Sequence, residues 1–349
     1  MVKKLKYYVL TSNHFQFLKR HISEEYSNIP KEDLVVVINT LDEDYLMMAK
    51  GFCIHKEIEY YVTESDGTPA TGKNSVLDLF LKSDNDYMVL IDGDDYLSQH
   101  GVWVYKHLSQ LESPPDAVCL HAQKGYLYTP DGVGMQGHPF CLDYRKMIYT
   151  DWDAYYSQYV EDKKLAEKWA DNALFFWKFQ YKYSEPHTQN CRVTFMSRKA
   201  AQVKFPTGLY IGEDTLQYFL LKNKHVLGEL NMVKSVEEPP TYIYDQRLGG
   251  TVCSVSQYGQ DSSWMGKYVE FAKQYEKQGI VHEYELPDLY VDYPVGYDCG
   301  AAEFGSGALY DCKDEETGEM IVQFYYPVNA SDKSLIAEQE RILKIYAED

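Results

Sequence analysis

The stretch VLIDGDDYLS, residues 89–98, opens apolar and stops in three carboxylates, Asp92, Asp94 and Asp95. Three acids in four positions repel one another unless a cation sits among them. Two carboxylates in Asp-x-Asp spacing can present oxygens to a hard divalent ion, leaving other positions to water and phosphate oxygens. Gly93 between them permits a tight turn and the close approach of a ligand. A solvated turn uses the same residue types, so the motif alone leaves both readings open. A second acidic pair, Glu213-Asp214, follows the glycine-containing TGLYIG at what reads as the start of a helix. The helix macrodipole by itself favours acids there.

Competing chemistries find no support. The histidines show no paired ligand spacing, and the seven cysteines are scattered without a CxxC pair. The acid cluster lacks the further acids and the glycine position of an EF-hand loop. TPATGKNS lacks the first glycine of a Walker A loop, and no G-x-S-x-G elbow or Cys/His nucleophile pair is present.

The elements that must position the acids alternate. KYYVLTS (6–12), DLVVVINT (33–40), IEYYVT (58–63) and YMVLIDGDD (87–95) read as strands. NHFQFLKRHISEEY (13–26), YLMMAKGF (45–52) and SVLDLFLKS (75–83) read as helices, the last preceded by a loop, SDGTPATGKN (65–74). Strand–helix alternation of this kind predicts an α/β doubly wound parallel sheet, whose ligands bind at the carboxyl ends of strands. The acid cluster stands at the end of the fourth predicted strand. Beyond it lies an aromatic-rich segment, 119–190, with helical sequence at 161–179. Residues 192–223 then predict a strand, a loop and an amphipathic helix from near Glu213, carrying Leu216, Phe219 and Leu220. A strand and turn (240–253), a helix with Trp264, Tyr268, Phe271 and Tyr275, and a last helix from Ser334 complete the chain.

In this order the sequence resembles the GT-A glycosyltransferases, in particular the family-2-like inverting group. VVVINTLDED stands where that group has a strand ending beside the nucleotide base. TGKNSVLDLFLKSDNDYMVLIDGDDYL (71–97) resembles its Gly-x-Asn helix start followed by the strand with DxDD. RVTFMSRKAAQVKFPTGLYIGEDTLQYFLL (192–221) resembles the segment with the Glu-Asp pair, and TYIYDQRLGGTVC (241–253) the Tyr/Arg/Gly-Ser segment. Asn39-Thr40-Leu41-Asp42 replaces the usual Asp-Asp-Gly-Ser, Lys73 stands where many members have Arg, and Gly249-Gly250-Thr251 replaces Gly-Ser.

The resemblance implies a GT-A fold, Rossmann-like with a mainly parallel twisted sheet flanked by helices, an aromatic-rich insertion and a C-terminal extension. It implies a nucleotide-sugar donor, a UDP-sugar first, and a divalent metal, Mn2+ or Mg2+. Asp94 is then the metal ligand, with Asp92 on the metal or the ribose and Asp95 either behind them or a turn residue. Asn39 or Asp42 would meet the base, Lys73, Asn74 and Arg247 belong to the donor site, and Lys73 and Arg247 would meet the diphosphate. Asp214, beside Glu213, would be the general base that takes the acceptor's proton in inverting transfer.

The bulk properties narrow the setting. The chain has 349 residues and a formal charge of −19. About −12 of that lies in residues 261–349, which hold 19 Asp and Glu against 7 Lys and Arg. This balance argues against a general nucleic-acid coat, though not against a local basic groove. No segment approaches the roughly 20 apolar residues needed to cross a bilayer. The basic start, Lys3, Lys4 and Lys6, is followed by too short an apolar run for a secretion signal, and scattered thiols suit a cytoplasmic chain. We expect a catalytic domain at 1–260, with residues 119–190 as the acceptor region, and an acidic extension at 261–349 packed on it. Trp152, Trp169 and Trp177 are candidates to stack on an acceptor, or to fill a core. The acceptor is a glycan or saccharide hydroxyl, or alternatively a hydroxymethylated base in DNA, as in bacteriophage enzymes. A catalytically silent nucleotide- or glycan-binding module is the reading from another class.

Overall fold

Every residue of the run Leu34–Asn39 is buried, as a strand covered on both faces requires. This strand, β2, pairs in parallel with β1 (Leu5–Thr11) and with β3 (Glu59–Thr63), and β1 pairs in parallel with β4 (Tyr87–Asp92). The structure, a computed structural model, describes residues 3–13, 15–22, 27–97, 99–120, 124–126, 179, 183, 192–209, 212–235, 242–245, 263–291, 309–313 and 320–325. The expected helix from Ser334 and most of the 119–190 insertion lie outside these residues.

Beyond β4 the sheet continues through β8 (Val193–Ser197), β6 (Ala117–Leu120) and β9 (Met232–Ser235), giving the order β3-β2-β1-β4-β8-β6-β9. The predicted α/β architecture with a mainly parallel sheet is therefore present. One feature departs from a purely parallel sheet: β8 runs antiparallel to both β4 and β6. A second sheet joins β5 (Tyr96–Leu97), β10 (Tyr242–Asp245) and β7 (Lys124–Tyr126), and β11 (Leu309–Lys313) pairs with β12 (Met320–Tyr325) as a hairpin.

Helices α1 (Phe15–Ile22), α2 (Glu43–Lys56), α3 (Pro69–Lys82), α4 (Gln99–Gln110), α5 (Glu213–Val226) and α6 (Ser263–Gln278) cover the main sheet. Successive strand side chains point to opposite faces, and the core divides accordingly. Tyr8, Val35, Val37, Met88 and Leu90 pack with Phe80, Leu216, Phe219 and Tyr268 from α3, α5 and α6. Tyr7, Val9, Val36, Ile38, Val89 and Ile91 pack with Leu18, Tyr45 and Tyr105 from α1, α2 and α4. Each fully buried side chain of this size stabilises the fold by about 1.5–3 kcal/mol.

Local chemistry sets the helix ends. Asp42 caps α2, its side chain accepting from the Tyr45 N–H at 3.0 Å. The sequence reading placed residues 65–74 in a loop, but α3 already begins at Pro69. Proline suits a first helical position because its missing N–H would have no intrahelical partner there. The difference carries Lys73 into the second turn of α3, on the buried face shared with Ala70, Val76, Leu77 and Phe80. At the other end Arg198 donates to the carbonyls of Leu81, Ser83 and Asn85 at 2.5, 2.9 and 3.1 Å, satisfying at Leu81 an acceptor that a helix terminus leaves open and tying down the chain just beyond it.

Candidate active site

Strand β4 ends at Asp92, and the chain turns at once through Gly93 and Asp94 to Asp95. The turn lies hard against β1: a Cβ on Gly93 would stand 2.7 Å from the Leu10 carbonyl oxygen and 3.1 Å from Thr11 Cα. Only glycine fits there. The Gly93 carbonyl is held by His21 Nε2 at 3.0 Å. Carboxylate oxygens of Asp92, Asp94 and Asp95 all lie within 4.8 Å of one another.

Two buried cations sit among the acids. Arg192 precedes β8, whose antiparallel register pairs Val89 with Phe195 and Met88 with Met196. Continuing that register sets Arg192 level with Asp92. Its guanidinium reaches Asp92 Oδ2 at 2.6 Å and Asp95 Oδ2 at 2.7 Å. It lies 4.8 Å over the ring of Tyr242. Tyr242 comes from β10, which β5 holds beside the turn; its hydroxyl donates to Asp95 Oδ2 at 2.5 Å and accepts from the Asp92 N–H at 3.2 Å. Asp95 is fully buried and so supports the turn from behind. Burial pushes its carboxyl well above the usual range, against the pull of Arg192. Burial would also raise Asp92, but Arg192 and Lys73 hold it below the ordinary value.

Lys73 is the second cation. Its ammonium donates to Glu213 Oε1 and to both oxygens of Asp214, each at 2.8 Å, and stands 3.5 Å from Asp92 Oδ2. The Phe205 ring lies beneath it at 5.6 Å. Burial would lower this lysine, but Asp214, Asp92 and Glu213 outweigh that and keep it charged. One ammonium shared by three carboxylates cannot neutralise them all. Glu213, the most enclosed of the three, takes the consequence: burial lifts it to about 7, against the pull of Lys73. Helix α5, which carries the pair, is preceded by its capping residue Gly212, whose φ of 86° is a left-handed conformation suited to glycine.

The structure thus gathers Asp92, Asp94, Lys73, Glu213 and Asp214 at the carboxyl end of β4. The other candidates are engaged elsewhere or lie beyond view. Asn39 is buried at the end of β2 and donates to Thr63 Oγ1 and the Glu64 carbonyl at 2.9 and 2.8 Å. Asp42 is the α2 cap. Asn74 uses both ends of its amide on Phe205, donating to its carbonyl and accepting from its N–H, each at 2.9 Å. It thereby pins the segment that floors Lys73. Arg247, Trp152, Trp169 and Trp177 lie outside the described residues. Arg192 and Tyr242 were missed in the sequence, whereas Asp95 takes the place behind the turn that was one of its two expected roles; an arginine opening a mainly apolar strand, RVTFMS, was the signal for the first.

The acid set suits a divalent ion. Asp92 Oδ1 is buried with no hydrogen-bond partner, a costly state for a carboxylate oxygen that ligation would relieve. Among the described residues five carboxylates (Asp92, Asp94, Asp95, Glu213, Asp214) face two cations, Lys73 and Arg192, so these groups keep a net negative charge even with Glu213 and Asp95 protonated.

The sequence matches no protein-family profile and no curated protein. Among solved structures it is similar to TarS 1–349 from S. aureus, at 14% identity over 70% of this chain and 60% of that one, with a TM-score of 0.39. The chain therefore spans under two thirds of that relative. It is similar to the mannosyltransferase PcManGT from Pyrobaculum calidifontis in complex with GDP-Man and Mn2+, at 12% identity over 100% and 83% of the chains, with a TM-score of 0.39. A third is glucosyl-3-phosphoglycerate synthase from Mycobacterium tuberculosis with Mn2+, UDP and phosphoglyceric acid, at 10% identity over 84% and 89%, with a TM-score of 0.44. Among the described residues no helix is long and apolar enough to cross a membrane.

Proposed function

We propose that this chain is a GT-A-type glycosyltransferase that moves a sugar from a nucleotide-sugar donor to an acceptor hydroxyl with inversion. The observation that carries the reading is the meeting of the β4 acid turn with Asp214 through one buried lysine. A strand-end acid cluster alone suits many ions, and a helix-start acid alone suits the macrodipole. A cation-binding cluster beside a second, separately supported carboxylate suits a transfer in which a leaving diphosphate and an entering hydroxyl are handled side by side.

Asp94 and Asp92 would hold the divalent ion, which when bound offsets charge developing on the departing phosphate oxygens. Arg192 fixes Asp92, and with Tyr242 it fixes Asp95, so the turn is set before any ligand arrives. Asp214 takes the proton of the acceptor hydroxyl. As it does so, the bond between the acceptor oxygen and the anomeric carbon forms. The bond from that carbon to the diphosphate breaks, and the diphosphate leaves with the electron pair. Positioned general bases contribute about 10²–10⁴-fold.

The test is mass spectrometry of acceptors incubated with the protein, Mn2+ and UDP- or GDP-sugars. An oligosaccharide arm and a hydroxymethylated duplex DNA arm distinguish the two acceptor classes. A mass gain of one sugar, lost on Asp214→Asn and on chelation, is expected. Donor binding with no transfer to either acceptor or to water would replace this reading with a binding module.

A further inference from the structure

A protonated lysine has three N–H bonds, and Lys73 directs its ammonium at three carboxylate oxygens within 2.8 Å, two of them the pair on Asp214. Both oxygens of the proposed base therefore lie within hydrogen-bond distance of one ammonium. Asp92 Oδ2 stands on its other side at 3.5 Å, marking the direction of the acid turn. The seat is built for this arrangement. Lys73 lies on the buried face of α3, Phe205 floors it, and Asn74 on the next position pins Phe205 by both ends of its amide.

Resting on the donor reading above, we propose that Lys73 is a positioning residue that masks Asp214, and that a nucleoside diphosphate at the acid turn unmasks it by drawing the ammonium away. A diphosphate offers more acceptor oxygens than one carboxylate and competes for the same ammonium. Moving the ammonium toward the diphosphate lengthens its contacts to Asp214 and Glu213. Donor binding and release of the base are then one event, so the base is withheld from water until a sugar is in place. The coupling is reciprocal: whatever holds Lys73 on Asp214 weakens the diphosphate by the same factor.

That reciprocity supplies a test without turnover. UDP with Mg2+ is titrated by calorimetry into the wild type, Asp214→Asn, Lys73→Met and the double variant, with thermal unfolding as the check of folding. Asp214→Asn removes the charge and one of the two Asp214 acceptor oxygens that hold Lys73 and should tighten UDP about tenfold, whereas on the Lys73→Met background the same change should alter affinity by less than about twofold. If the gain persists without Lys73, it is mere removal of negative charge, and the mask is refuted. No gain on either background refutes it too. Should Lys73→Met fail to fold, the ammonium is followed directly by 1H–15N NMR, its resonance assigned by loss in Lys73→Arg. A signal that shifts on saturation with Mg2+ and UDP supports the proposal, and one left unmoved overturns it. If neither UDP nor GDP binds the wild type, the donor reading itself fails and takes the proposal with it. Binding with a flat cycle overturns the mask alone.

Discussion

Replacing Arg192 by Met tests the electrostatic frame of the acid turn. The guanidinium stands 2.6 and 2.7 Å from Asp92 and Asp95. At an effective dielectric of about 20, the contact with ionised Asp92 is worth roughly 6 kcal/mol of attraction, most of it offset by desolvation. The contact with Asp95 is worth less because burial pushes that carboxyl toward its neutral form. Truncation is not symmetrical with formation, because it takes from Asp92 and the fully buried Asp95 the guanidinium that pairs with both, beside a third acid, Asp94. Losses of this kind run to about 3–5 kcal/mol, or on the order of 10 °C in melting temperature. Equilibrium urea unfolding with thermal melts would measure it. The design includes Asp95→Asn, since removing one of the crowded acids should restore much of what Arg192→Met loses and bring the double variant within about 2 kcal/mol of wild type. A single variant within about 1 kcal/mol of wild type would refute the counter-ion role. A loss untouched by Asp95→Asn would assign the effect to packing on Tyr242 instead.

Three further outcomes follow from neighbouring residues. Gly93→Ala forces a methyl to within 2.7 Å of the Leu10 carbonyl, so it should cost about 1–3 kcal/mol and weaken Mn2+ binding, as denaturation and calorimetry would read. Glu213 has its carboxyl lifted from 4.5 to about 7. Between those values the unfolded chain has already released this proton while the folded chain keeps it. Its contribution to stability is therefore full at low pH and falls as pH rises through about 7, by on the order of 3 kcal/mol. The melting temperature of wild type minus that of Glu213→Gln should decline across this window; a flat difference contradicts the assignment. Asn74→Ala removes two hydrogen bonds to the Phe205 backbone and should cost about 1–3 kcal/mol in urea unfolding.

Much of the scaffold was legible because it is local. The apolar run of β2, the strand ending in DGDD and the GED helix start are each written in under ten consecutive residues, and the structure has all three. The start of α3 was misread because Thr-Gly-Lys-Asn looks like loop chemistry. Read with Pro69 as first helical residue, the helical phase puts Lys73 in line with Ala70, Val76 and Phe80, which marks it as buried. An antiparallel β8 was not legible, since a short apolar run carries no sign of its direction.

The sequence by itself determined that three acids stand at a strand end, that two more open a helix, and that helices and strands alternate between them. Only the tertiary structure decided which cation serves which acid. Arg192 meets Asp92 because β8 lies beside β4 in one register. Tyr242 reaches the turn because β10 pairs with β5. Lys73 and Asp214, 141 positions apart, meet because α3 and α5 pack on the same face of the sheet. Such pairings depend on strand order, direction and register, which arise when the whole core is buried and which no short run of residues encodes.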